Sequence, residues 1–125
     1  YPVVLPLHPR TRKILQDQKL TVSFQIIDPV GYFDMLNLIR GSFMVLTDSG
    51  GLQKEAYFFQ KFCITMRDQT EWVELVQGGF NILTGADKIN IHHAVEQFRQ
   101  RKFDSKPDLY GSGDSARTIV KNLTS

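Results

Sequence analysis

The sequence predicts an α/β fold, an open parallel sheet with helices on both faces. Three observations predict it. Short apolar runs alternate with stretches of helical periodicity five times over. One run, Phe43-Met44-Val45-Leu46, is unbroken, as a strand covered on both faces demands. The composition, 42% apolar and 22% charged over 125 residues, is that of one ordinary globular domain.

The elements follow in order. Val3-Val4-Leu5 reads as a buried strand that ends at His8-Pro9, and the mixed, basic residues 10–19 suit an exposed helix or loop. Val22 to Ile27, rich in β-branched residues and closed by Asp28-Pro29, is the second strand. From Tyr32 to Arg40 the apolar positions 32, 35, 36 and 39 recur at helical spacing, and Gly41 is placed to stop the helix. After the Phe43–Leu46 strand, Thr47-Asp48-Ser49-Gly50-Gly51 is a turn, and a helix runs from about Gly51 to Phe59. Phe62 to Met66 is the fourth strand. A short helix near Glu71 to Gln77 stops at Gly78-Gly79, and Asn81-Ile82-Leu83 is the fifth strand. Residues 88–102 form an amphipathic helix with Ile91, Ala94, Val95 and Phe98 inward. Asp104 to Gly113 reads as a loop, and a last helix begins near Asp114.

Several function classes are disfavoured at once. Fifteen Lys and Arg against thirteen Asp and Glu leave +2, too even for nucleic-acid binding through bulk charge. No apolar run approaches the roughly 18–20 residues of a membrane span. The opening Tyr1-Pro2-Val3-Val4-Leu5-Pro6 lacks the basic and long apolar regions of a signal peptide. The single cysteine, Cys63, supports neither an intrachain disulfide nor a Cys-rich zinc site, so a reducing cytoplasm is the expected location. The chain opens without Met on a strand-like run, which leads us to expect a domain of a longer protein.

In open α/β sheets ligands bind at the carboxyl ends of strands. The loop Thr47–Gly51 follows the most apolar run and opens a helix, so unpaired N–H groups and the positive end of a helix dipole meet there. Two glycines admit a phosphate to the backbone, and Ser49 adds a hydroxyl. The same residues also suit a glycine-rich turn with Asp48 or Ser49 as an ordinary N-cap. The spacing is not that of a Walker loop. Glu55, four residues past Gly51, shares its helix face, where a carboxylate would repel phosphate but accept hydrogen bonds from a vicinal diol such as ribose. Phosphate and sugar together fit a nucleotide or nucleotide-sugar; otherwise Glu55 is a solvated surface residue.

Other signals are weaker. Gly111-Ser112-Gly113-Asp114-Ser115-Ala116 matches G-x-G-x-x-A by letter, but no strand precedes it, so no dinucleotide site is expected. His8 with Arg10, Arg12 and Lys13 reads either as a cationic rim or as a solvated first helical turn. Arg67, Thr70 and Glu71 either shape a cleft or pair and cap the next helix. His92, His93 and Glu96 lack H-E-x-x-H spacing and suit a solvated face, so no metal is expected. Asn122-Leu123-Thr124 is a glycosylation sequon only in a secreted chain.

His8-Pro9-Arg10-Thr11, Ile27-Asp28-Pro29 with Tyr32, Leu46-Thr47-Asp48-Ser49-Gly50-Gly51-Leu52-Gln53-Lys54-Glu55-Ala56, Arg67-Asp68-Gln69-Thr70-Glu71 and Tyr110-Gly111-Ser112-Gly113 occur in one order. Together, over essentially the whole chain, they resemble the C-terminal half of the non-hydrolysing UDP-N-acetylglucosamine 2-epimerases. The resemblance implies a Rossmann-like domain, residues 1–125, from a two-domain glycosyltransferase-B arrangement whose N-terminal catalytic domain is absent from this chain. It implies inversion at C2 of a UDP-sugar by elimination and re-addition of UDP, without a cofactor. Ser49, Gly50 and Gly51 would hold the diphosphate and Glu55 the ribose. The segment after Asp28-Pro29 would border the uracil, with Met35 where an aromatic can flank the base. Arg67 and Thr70 would contribute to the cleft, and His8 would face it, near substrate or a regulatory UDP-N-acetylglucosamine. The implied partners are the UDP-sugar, the chain's own N-terminal domain and a second copy in a homodimer.

The chain departs from the family pattern at three places. Thr70-Glu71-Trp72-Val73-Glu74 replaces a common T-E-R-P-E and removes a cleft arginine; Met35 replaces the aromatic; His8-Pro9-Arg10-Thr11 replaces H-x-N-P. The first and last resemble the branch acting on sugars such as UDP-2,3-diacetamido-glucuronate. Two other functions share these features: the donor-binding half of a glycosyltransferase, and a non-catalytic nucleotide-sugar module.

Overall fold

The computed structural model describes residues 1–104 and 109–124. Its elements are β1 (Val4–Pro6), α1 (Pro9–Asp17), β2 (Gln25–Ile27), α2 (Tyr32–Gly41), β3 (Met44–Thr47), α3 (Gly50–Phe58), β4 (Phe62–Thr65), α4 (Val73–Gln77), β5 (Asn81–Leu83), α5 (Lys88–Arg99) and α6 (Ser115–Thr124). Every strand pair is parallel, as the alternation predicts. The chain divides into two compact units, Tyr1–Leu38 and Ile39–Ser125. The five strands accordingly form two hydrogen-bonded sheets, β1-β2 and β3-β4-β5, where one open sheet was expected.

In the first unit Val4 pairs with Gln25 and Pro6 with Ile27, and the Leu7 N–H donates to the Ile27 carbonyl at 3.0 Å. The second strand is shorter than its β-branched run suggests: Val22 to Phe24 lie outside the ladder, with Val22 and Phe24 exposed. α1 is a helix with its start built in. His8 is its N-cap, accepting from the Arg10 N–H through Nδ1 at 3.2 Å, and Pro9 takes the position where a missing N–H costs nothing. Arg12 pairs with Asp28 at 2.8 Å, fastening α1 to the turn after β2.

In the second unit the central strand of the sheet is β4, and all four of its residues are buried. This corrects the reading of Phe43–Leu46 as the strand covered on both faces. β3 is the edge of its three-stranded sheet, and Phe43 and Leu46 are 45% and 44% exposed. An apolar run reports burial potential, whereas pairing on both sides decides which strand is enclosed. α3 packs on β3 and β4, α4 on β5, and α5 on β4. The core joins Tyr57, Phe62, Ile64, Leu75, Phe80, Ala94 and Phe98, with the Phe62 and Phe98 rings stacked at 4.3 Å. Burying each such large side chain contributes about 1.5–3 kcal/mol.

Of the inward positions expected on α5, Ala94 and Phe98 are buried, and Ile91 and Val95 are half-buried. The loop expected over Asp104 to Gly113 lies partly outside the described residues; Leu109 and Tyr110 pack against the core. α4 starts two residues later than expected, because Glu71 and Trp72 remain in the loop after β4. No helix among the described residues is long and apolar enough to cross a membrane.

Candidate functional site

The loop from β3 to α3 ends at Ser49, whose extended backbone (φ −78°, ψ 133°) makes it the N-cap of α3. Its side chain makes no capping hydrogen bond. The ordinary N-cap alternative is therefore not what this serine does. Thr47, buried at the end of β3, organises the turn instead, its Oγ1 accepting from the Ser49 N–H at 2.9 Å. Gly50 and Gly51 occupy the first two helical positions, where N–H groups have no intrahelical acceptor and the dipole is positive.

These two glycines are not required by the chain's own geometry. Neither has a positive φ. A Cβ on Gly50 would meet Glu71 Oε2 at 3.6 Å, Arg67 Nη1 at 3.7 Å and Glu71 Oε1 at 3.9 Å, and one on Gly51 only Glu55 Oε2 at 3.7 Å, ordinary contacts in each case. Gly85 differs: its φ is +58° and a Cβ would strike Asp68 Oδ1 at 2.7 Å. Alanine would therefore be tolerated at both positions, and it is the better helix former.

Glu55 stands one turn further on the same face. Its Oε2 is buried and has no hydrogen-bond partner, facing the Gly51 backbone. A buried carboxylate oxygen left without a donor costs about 1–3 kcal/mol or more.

Behind the helix terminus lies a buried polar network that sequence reading missed. Gln53 is fully buried; its Nε2 donates to the Ser49 carbonyl at 3.3 Å, and its Oε1 accepts from Thr70 Oγ1 at 2.6 Å and Asn81 Nδ2 at 2.9 Å. Asn81 Oδ1 accepts in turn from Thr65 Oγ1 at 2.9 Å. The signal available was Gln53, polar on the inner side of α3, but its partners lie as far off as residue 81.

The loop after β4 forms one side of the site. Arg67 reaches Glu71 through Nη1 and Nη2 at 3.4 and 3.3 Å, beside Gly50. Glu71's own backbone N–H, and then the Arg67 guanidinium, hold its carboxyl below the usual carboxylate range. Thr70 gives its proton to Gln53 and accepts from the Trp72 N–H at 3.1 Å, so its hydroxyl is spent inside the protein. Trp72 Nε1 donates to the Gly50 carbonyl at 2.8 Å. Lys54 Nζ lies 4.4 Å from the Trp72 ring centroid and 4.3 Å from that of Tyr110.

The structure thus brings together Ser49, Gly50, Gly51, Glu55, Arg67 and Thr70 within the second unit. His8, exposed, and Met35, half-buried on α2, belong to the first. Arg12 of the basic segment is committed to Asp28. His92 and His93 are exposed, Glu96 pairs with Arg99 at 2.7 Å, and no metal-binding group of His, Cys, Asp and Glu occurs among the described residues. Gly111 and Gly113, with φ of +77° and +86°, lead into α6 rather than out of a strand.

Parallel α/β units with a helix N-terminus opened by glycines at the carboxyl end of a strand are Rossmann-like domains. Within that class the chain belongs to the UDP-N-acetylglucosamine 2-epimerase family, whose model matches residues 1–124. It is 50% identical over 122 residues to a UDP-2,3-diacetamido-2,3-dideoxy-D-glucuronate 2-epimerase of Pseudomonas aeruginosa, covering 98% of this chain and 34% of that protein. The structure of the UDP-GlcNAc 2-epimerase of Methanocaldococcus jannaschii superposes with a TM-score of 0.85 at 40% identity, covering 98% of this chain and 36% of that one. The same enzyme in complex with UDP-GlcNAc and UDP gives 0.83 at 40% identity, over 98% and 35%. The UDP-GlcNAc 2-epimerase of Neisseria meningitidis bound to UDP-GlcNAc gives 0.77 at 32% identity, over 99% and 36%. The chain thus spans about a third of the length of these relatives.

Proposed function

We propose that residues 1–125 are the C-terminal, UDP-binding domain of an enzyme that inverts C2 of a UDP-2-acetamido sugar. The observation that carries this is the pairing, on one helix face, of an open N-terminus with the donor-starved Glu55 Oε2. In this reading the Ser49 hydroxyl and the Gly50 and Gly51 amides bind the diphosphate, and Glu55 accepts from the ribose hydroxyls. Arg67, paired with Glu71, lines the cleft beside Gly50, and Thr70 acts through Gln53. For Met35 and His8 the support is the family resemblance, which implies a place beside the base for Met35 and near substrate or a regulatory UDP-N-acetylglucosamine for His8.

The chemistry is elimination followed by re-addition. Removal of the C2 proton and departure of UDP from C1 leave a glycal-type intermediate; UDP returns while C2 is protonated on the opposite face. The acid and base belong to the N-terminal domain, the other half of a glycosyltransferase-B arrangement, and the assembled enzyme is a homodimer. The role of this chain is to stabilise charge on the departing diphosphate, where one well-aimed donor is typically worth about 2.7–4 kcal/mol. The Trp72-Val73-Glu74 variant and the 50% identity to the Pseudomonas enzyme favour a UDP-2,3-diacetamido-glucuronate type of sugar.

The test is Glu55→Gln in the full-length protein, titrated with UDP and with its 2′,3′-dideoxy analogue. Losing hydrogen bonds to a charged acceptor should weaken UDP by about tenfold or more and leave the dideoxy analogue unchanged. Unaltered UDP affinity removes Glu55 from the site.

A further inference from the structure

We propose that Gln53 and Trp72 are positioning residues that aim the Gly50 and Gly51 amides at the diphosphate, an inference that rests on the function proposed above. A trans peptide is planar, so its C=O and N–H point in opposite directions. The Ser49 carbonyl is held from behind by Gln53 Nε2, and the Gly50 carbonyl by Trp72 Nε1. The N–H groups of the same two peptide units, those of Gly50 and Gly51, therefore point the opposite way, toward the N-terminal end of α3.

The polarity of this support is set by one atom. The Ser49 carbonyl can only accept, so the Gln53 amide must present its NH2 there. Its Oε1 then faces Thr70 and Asn81, and Asn81 turns its own oxygen to the Thr65 hydroxyl. Flipping Gln53 would set acceptor against acceptor at Ser49, and flipping Asn81 would set its oxygen against Gln53 Oε1, so the network, whose Gln53, Asn81 and Thr65 are buried, has one arrangement. Trp72 is steadied by the Lys54 ammonium over its ring and tied to the same network by the bond from its backbone N–H to Thr70 Oγ1. This assigns a task to Trp72, which acts on the backbone and not on the ligand's charge.

The experiment uses the full-length protein with two substitutions. Trp72→Phe keeps the ring over Lys54 and removes the donor; Gln53→Glu keeps both accepting contacts and removes the donor. UDP and uridine are titrated by calorimetry and competition, and the Gly50 and Gly51 amide resonances are followed. Each variant should weaken UDP about tenfold, leave uridine unchanged and shrink the UDP-induced displacement of the two glycine signals. Equal losses for UDP and uridine would show a merely structural role, and full UDP affinity in Trp72→Phe would overturn the inference even if Gln53→Glu fails to fold. An unsubstituted protein in which UDP leaves both glycine signals unmoved would instead remove the proposed function, and this inference with it.

Discussion

Replacing Gly51 by alanine separates a glycine kept for the fold from one kept for a ligand. The new Cβ would lie 3.7 Å from Glu55 Oε2, an ordinary contact, at a position without positive φ. Nothing in the folded chain resists it. Restricting the unfolded chain should then stabilise the protein by about 0.4–1 kcal/mol. In a chain of 125 residues that is a rise of about 1–5 °C in melting temperature. The same methyl would occupy the surface a phosphate must approach, so UDP affinity should fall by about tenfold or more. Thermal melting and calorimetric titration of one protein sample read both effects. A clear drop in melting temperature would mean that the glycine serves the fold, and unchanged UDP affinity would mean that nothing approaches it.

Ser49→Ala should leave stability within about 0.5 kcal/mol, because no capping bond is lost, where an ordinary N-cap serine would cost about 1 kcal/mol. Turnover of the full-length protein should nevertheless fall by about 10²–10³, measured by C2 proton exchange in deuterated water. Burial pushes the Cys63 thiol up to about 11, with the Thr65 hydroxyl opposing weakly. The folded state therefore holds the proton that the unfolded chain releases near pH 9, and stability is lost as pH rises from about 9 to 11, by about 2–3 kcal/mol. Denaturant titrations across that window should show the loss, and Cys63→Ala should flatten it.

Much of the candidate site was legible in the sequence because it is local. Ser49, Gly50, Gly51 and Glu55 lie within seven consecutive residues, and helical spacing alone puts the carboxylate over the second glycine. What was not legible depends on tertiary partners. Gln53 is polar on an inward helix face, which looks like a fault until Asn81 and Thr70 meet it. The enclosure of β4 over β3 follows from strand order, which the alternation of elements leaves open. Thr70 was readable as cleft or cap, and only the bond to Gln53 shows where its proton goes. The N-cap alternative for Ser49 was likewise undecidable by letter, since capping requires the hydroxyl to turn toward the helix and Thr47 already holds the turn.

The central claim is that backbone amides at the start of α3 receive a diphosphate. Titrating isotopically labelled full-length protein with UDP while following the amide signals of Ser49, Gly50 and Gly51 tests it most directly. The account predicts large, saturable displacements at these three positions that uridine does not reproduce. Signals that stay in place at saturating UDP would contradict it.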